Sequence, residues 1–316
     1  MLCKISLPTE IIRNNQTSNI NIAMHKLAFI KHFSFAGLGF VPWPQKWKRV
    51  IGSFFLYGPY MTSFCQGHFI DPYYDPTAKA QFSNLVGKAI ADFLVKRIDG
   101  AILTLNYEWA MRQIDLKVQG SRPDLLALLR GGAKIAIEAK GYSRGPGNVR
   151  RHKFQALRGP IPVQFAVASI AFNLYHRVEA VYYDPERPEE TNLELWQYLS
   201  KKYYFRLLSF LKKGLKLGIL EWKEKRMPIK GEEFNIFKID WNRLESFIAN
   251  SYEDQRFWSK YLSTWSWPWQ EVSLLIPSNI FIFSLHGLPI DIGPFLSEGR
   301  ENLYIDSDRV GILIKY

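Results

Sequence analysis

The clearest hydrophobic pattern lies in residues 77–98. There Phe82, Leu85, Ala89, Phe93 and Leu94 recur at three- and four-residue steps, the period of a helix with one buried face. Asp99-Gly100 closes it as a turn, and AILTLNY at 101–107 reads as a strand. Two apolar runs, 124–129 and 134–140, flank Gly131-Gly132. Glycine accepts the positive φ of tight hairpins, so the two runs predict paired strands. A basic loop is expected from Gly141 to about Arg151, and then a helical region through Tyr175. It includes the uncharged run 159–176, read as a buried helix, and a strand VEAVYYD follows at 178–184. The predicted order is helix, strand, strand, strand, helix, strand. After Pro185 the pattern changes. Residues 193–213 carry Leu193, Trp196, Tyr203, Leu207 and Leu211 on one side of a helix, with Lys202, Arg206 and Lys213 on another. Short strands (FNIFKID, LYIDSD, GILIKY) and a Trp-rich segment at 258–269 complete the chain. These shifts predict three regions: a basic aromatic N-terminal region at 1–75, a core at 76–190, and a C-terminal α+β region at 191–316 that serves recognition or dimerisation.

Composition narrows the partners. The 316 residues are 47% hydrophobic, enough for a real core. The formal net charge is +12 and the pI about 9.5. That surplus favours polyanions, with nucleic acid first and anionic membrane second. Only Cys3 and Cys65 are present, too few for a disulfide framework or a Cys-rich zinc site, so an intracellular, reducing compartment is expected. MLCKISLPTEIIRNN lacks the apolar core of a signal peptide. The run at 159–176 is too short and too polar to span a bilayer, and no membrane association is expected.

The chemistry concentrates in GSRPDLLALLRGGAKIAIEAKG, residues 120–141. Glu138 and Lys140 lie two apart on one strand and therefore share a face. A three-residue hairpin loop brings Asp124 to that face, whereas a two-residue loop turns it away. Two carboxylates a few ångströms apart repel unless a cation lies between them. Their oxygens, with the Ala139 carbonyl, suit Mg²⁺, with Mn²⁺ as a substitute. A bound metal supplies a nucleophile at neutral pH, and Lys140 can orient the water or stabilise developing charge.

Pro123-Asp124 and Glu138-Ala139-Lys140, with the order of elements over 77–184, resemble the PD-(D/E)xK nuclease superfamily, which includes restriction endonucleases and Holliday-junction resolvases. The resemblance implies an α/β fold: a restriction-endonuclease-like mixed central sheet flanked by helices, with elaborations at both ends. It implies Mg²⁺ held by Asp124 and Glu138, water served by Lys140, a helix glutamine at Gln155, and a 5′-phosphate product. Relatives often carry a Gly-Glu pair on the first core helix. Here the pair is Gly87-Lys88, which leaves Asp92 as the candidate third metal ligand and Glu108 as a weaker one. The implied activity is DNA cleavage by a homodimer, first of the type II restriction kind. A structure-selective repair or junction nuclease is the alternative, and an inactive nucleic-acid-binding protein a further one. Ser143, Arg144, Arg150, Arg151 and Lys153 form a basic segment suited to phosphate contacts. Lys46 and Lys48, among Trp43, Trp47 and Arg49, offer cations and stacking faces.

One motif competes. Gly141-Tyr142-Ser143-Arg144-Gly145 matches G-x-S-x-G, the serine-hydrolase elbow, with His286 and Asp291 or Asp254 as triad partners. The Gly145-Pro146-Gly147 that follows opposes the helix an elbow requires.

Overall fold

A computed structural model describes residues 3–14, 16–37, 57–72, 75–184, 192–249, 271–289, 292, 295, 299–300 and 302–315. Two sheets organise them. The first has seven strands in the order β2-β1-β7-β6-β5-β4-β3. Its members are β1 (Lys4–Arg13), β2 (Gln16–His25), β3 (Ala101–Asn106), β4 (Leu125–Leu129), β5 (Lys134–Gly141), β6 (Phe165–Phe172) and β7 (Glu179–Asp184). β3, β4 and β5 form an antiparallel meander, and β6 is added parallel to β5. β7 runs antiparallel to β6, and β1 parallel to β7. The protein is thus mixed α/β.

Helix α1 (Lys26–Phe35) follows β2, and α2 (Pro76–Ile98) precedes β3. Asp75 caps α2 by accepting from the Thr77 and Ala78 amides at 2.8 and 3.1 Å, with Pro76 at the first helical position. The short α3 (Tyr107–Gln113) follows β3, and α4 (Val149–Ala156) connects β5 to β6. The residues at 165–172 correct the buried-helix expectation, because FAVASIAF is β6. Central strands covered on both faces read as continuous apolar runs, without the alternation that marks a half-exposed strand. Residues 165–171 are all buried.

β1, β2 and α1 are part of the same sheet and core. β1 lies beside β7, and Phe29, Phe33, Phe64 and Phe69 pack with Phe82 of α2. Cys3 and Cys65, expected as free thiols, are joined in a disulfide, which removes the premise of the reducing compartment. The dense basic stretch with Lys46 and Lys48 lies outside the described residues. No helix among the described residues is long and apolar enough to cross a membrane.

The second sheet is antiparallel, in the order β11-β12-β13-β10-β9-β8. It comprises β8 (Leu220–Ile229), β9 (Glu232–Ile239), β10 (Glu271–Pro277), β11 (Gly299–Arg300), β12 (Leu303–Ile305) and β13 (Gly311–Lys315). The long amphipathic α5 (Leu193–Lys216), α6 (Trp241–Ala249) and α7 (Ile280–His286) accompany it.

One contact of α2 bears directly on the chemistry. A Cβ added at Gly87 would stand 2.4–2.6 Å from the backbone of Lys140 and Gly141, and one at Gly141 would stand 1.9 Å from the Ser83 carbonyl oxygen. Backbone therefore rests on backbone where α2 crosses the end of β5. Gly141→Ala should cost about 3 kcal/mol by overpacking, read from urea denaturation. A loss below about 1 kcal/mol would show that α2 moves away freely.

Candidate active site

The hairpin between β4 and β5 takes the register that the chemistry needs. Arg130, Gly131 and Gly132 form the loop, Leu129 N–H donates to Ala133 O at 2.8 Å, and the glycines adopt φ of 71° and 88°. Leu125 pairs with Ile137 and Leu126 with Ala136. One step beyond that ladder, Asp124 faces Glu138, and its own N–H donates to Ile137 O at 3.0 Å. The parity of the hairpin thus sets the two carboxylates on one face.

Four charged side chains meet there. Lys140 Nζ lies 3.3 Å from Asp124 Oδ2 and forms an ion pair with Glu138 Oε1. Ala139 N–H donates to Asp124 Oδ2 at 3.2 Å. Lys88, from α2, places Nζ 3.0 Å from Asp124 Oδ1. Asp124 is partly open to solvent, whereas Glu138 is 0% exposed.

These surroundings drive the two acids apart. Burial, then the Asp124 charge, pushes the Glu138 carboxyl up to about 7, and Lys140 offsets only part of this. Burial alone would raise Asp124 as well. Lys88, Lys140 and the Ala139 N–H overcome it and hold Asp124 below the usual carboxylate range. The Lys140 ammonium, despite its own burial, is held above its ordinary value by Asp124 and Glu138. The Lys140–Glu138 pair is therefore unequal. The lysine faces two acids, while the glutamate lies deeper and beside a like charge. Such a divergence of neighbouring acids is common at functional sites.

The other candidates divide. Gln155 on α4 donates from Nε2 to Arg122 O at 3.4 Å, two residues before Asp124, so it borders the site without touching its carboxylates. Ser143 is half-buried, and Arg144, Arg150 and Arg151 are exposed, on the loop and helix next to the site. Lys153 does not join them, which corrects its assignment to phosphate binding. It is buried, donates to Ala166 O, and lies 3.8 Å from Asp184. Asp92 is also corrected as a metal ligand. It is buried elsewhere, with Oδ2 2.7 Å from His32 Nδ1 and Oδ1 within 2.8 Å of Thr104 Oγ1 and 3.1 Å of Lys96 Nζ. Glu108 is paired with Arg122. Among the described residues no group of three or more His, Cys, Asp or Glu is placed to hold a metal ion.

The elbow reading finds no support in this geometry. Residues 142–148 separate β5 from α4, so no sharp strand-to-helix turn presents Ser143. His286 lies at the end of α7, and Asp254 and Asp291 lie outside the described residues.

Two further residues, Lys88 and His152, border the paired acids. Lys88 interrupts LVGKAIADFLV, and a charge inside a buried-type run is the same signal that marks Glu138. His152 Nε2 lies 2.7 Å from Tyr142 Oη, and burial, then Lys140 and Arg151, lower the imidazole below its ordinary value. Comparison with protein-family models, curated proteins and solved structures finds no match for this chain.

Proposed function

We propose that the chain is a metal-dependent endonuclease of the PD-(D/E)xK kind that hydrolyses DNA phosphodiester bonds. The observation that carries this reading is Glu138: a fully buried carboxylate that faces a second carboxylate, Asp124, with the Lys140 ammonium paired to both. Such a group costs stability and is suited to a cation. The sequence α2, β3, β4, β5, α4, β6, with β6 parallel to β5, supports a restriction-endonuclease-like core.

Asp124 and Glu138 would hold Mg²⁺, or Mn²⁺ in its place, with the Ala139 carbonyl as a further oxygen donor. The ion, when bound, supplies an activated water and neutralises charge on the phosphate. Lys140 orients the water, or donates to the oxyanion that develops. Lys88 fixes Asp124 in its ionised form and offers a second ammonium to the phosphate. Two lysines against two carboxylates leave the side chains of the site neutral in sum, so one divalent ion gives a charge of +2. That complements a phosphorane carrying about two negative charges. Two cuts in a duplex call for a homodimer. A type II restriction enzyme and a structure-selective nuclease share this site. Because both lysines engage Asp124 and no third acid among the described residues joins it, a phosphate-binding protein without cleavage activity is the second reading.

The test is incubation of plasmid, junction and single-stranded DNA with Mg²⁺ and the wild-type, Asp124→Ala or Glu138→Ala protein. Each substitution should lower cleavage by about three orders of magnitude, equivalent to several kcal/mol of lost metal-borne stabilisation. Equal survival of every substrate with wild type and variants would remove the enzyme reading and leave the binding one.

A further inference from the structure

Helix α4 is a cap, an inward face and an outward face of different chemistry. Asn148 caps it by accepting from Arg151 N–H at 3.0 Å. His152, Lys153 and Ala156 are buried against the sheet. The opposite side carries Arg150, Arg151, Phe154, Leu157 and Arg158, at the three- and four-residue steps that align side chains along a helix and its last turn. Phe154 is 65% exposed and Leu157 52% exposed, and the three arginines flank them. Among the described residues no carboxylate pairs with Arg150, Arg151 or Arg158. The face borders the candidate site. On the same helix Gln155 reaches the Arg122 carbonyl beside Asp124, and His152 bonds Tyr142 on the loop that leaves Lys140.

An exposed phenylalanine and leucine among unpaired guanidiniums suit one partner class better than others. Arginines track a phosphate backbone, while an aromatic ring stacks on a base or wedges between base steps. Neither apolar residue gains from intact duplex, whose bases are already stacked. We infer that the outward face of α4 engages nucleic acid with unpaired or easily unstacked bases. Phe154 stacks on a base near the scissile phosphate, and Leu157 supports it. This rests on the nuclease reading for its placement and assigns that site its substrate class: forks, flaps, junctions or single strands before plain duplex.

The test is a metal-free binding experiment with the full chain carrying Glu138→Gln, in EDTA, so that no cutting intervenes. The probes are a fluorescent forked DNA with 2-aminopurine at the branch and a matched intact duplex. The fork should bind at least about tenfold tighter than the duplex, with a change in 2-aminopurine emission, as stacking on one base predicts. Adding Phe154→Ala should erase both the preference and the emission change while duplex binding persists. Phe154→Trp should retain both. Arg151→Ala should instead weaken the two probes alike and reduce the salt dependence by about one phosphate. Equal fork and duplex binding, or a fork preference indifferent to Phe154→Ala, would overturn the inference even if the wild-type enzyme cuts DNA. Preferential capture of an acidic peptide or of anionic vesicles at Phe154 would overturn it too. If Phe154-dependent fork binding holds but no substrate is cut, the surface stands and the nuclease reading fails.

Discussion

In EDTA at pH 8, Glu138→Gln should stabilise the protein by about 3 kcal/mol, and the same substitution should abolish Mg²⁺-dependent cleavage. The sign follows from the raised carboxyl. Its value of about 7 in the folded chain, against 4.5 for an unburied glutamate, means that the folded state binds the extra proton between those limits. Stability therefore falls as pH rises from about 4.5 to 7, and the full penalty remains above 7. Glutamine keeps the shape and discards the charge, so the gain is present at pH 8 and nearly absent at pH 4.5. Thermal or urea unfolding of both proteins at the two pH values measures it. Asp124→Asn should behave oppositely. It removes the partner of Lys88 and one of the two acids beside Lys140, and so leaves two ammoniums with Glu138 alone. A glutamate whose loss improves folding but ends activity is held in place for chemistry, which is the usual trade at a functional site. A Glu138→Gln protein less stable than wild type at pH 8 would show instead that the Lys140 ion pair is a structural asset.

The parts of this architecture legible in the sequence are those set by local rules. The Gly131-Gly132 loop determines the parity of the β4–β5 hairpin, and parity decides whether Asp124 shares a face with Glu138 and Lys140. Helix α2 shows its 3.6-residue period over several turns. β6 is a different case. FAVASIAF has a single polar position, the buried Ser169, which sets no period, and an apolar run alone does not distinguish helix from strand. The fates of individual charges are also non-local. Asp92 and Lys88 lie on one helix four residues apart. Lys88 meets Asp124 of the hairpin, while Asp92 meets His32, sixty residues earlier in the chain. Lys153 looks like its basic neighbours in VRRHKFQA, yet the helix rotates it inward to the Ala166 carbonyl. In each case the sequence displays the ionisable group, and its partner comes from a distant segment brought close by packing.

The largest loss of stability is expected from Lys31→Met. Lys31 is fully buried, 2.8 Å from Asp306 Oδ2 and 2.6 Å from Asp308 Oδ2. Lys96 of α2 bridges the same acids at 2.6 and 3.4 Å and lies 3.1 Å from Asp92. His32 Nε2 lies 3.0 Å from Tyr304 Oη, and Tyr203 donates to Asp308 at 3.1 Å. Burial holds the His32 imidazole below its ordinary value, despite the opposing pull of Asp92 and Asp306. With His32 neutral, two ammoniums face three carboxylates, and Lys31→Met leaves one ammonium for all three. Breaking a buried pair by removing one partner costs about 3–5 kcal/mol, because the remaining charge is stranded away from water. Adding Asp306→Asn should return part of that loss. The double variant should then be at least about 1 kcal/mol more stable than the sum of the single effects allows, as read from urea unfolding. Additive effects, or a single loss below about 1 kcal/mol, would show that water reaches the cluster. The same contacts give the chain its unity. Lys31 and His32 come from α1, Asp92 and Lys96 from α2, and Asp306 and Asp308 from the loop between β12 and β13. A chain cut at residue 190 would lose two of the three acids and bury two ammoniums against Asp92 alone. It should therefore fail to fold, even with Asp124, Glu138 and Lys140 all present.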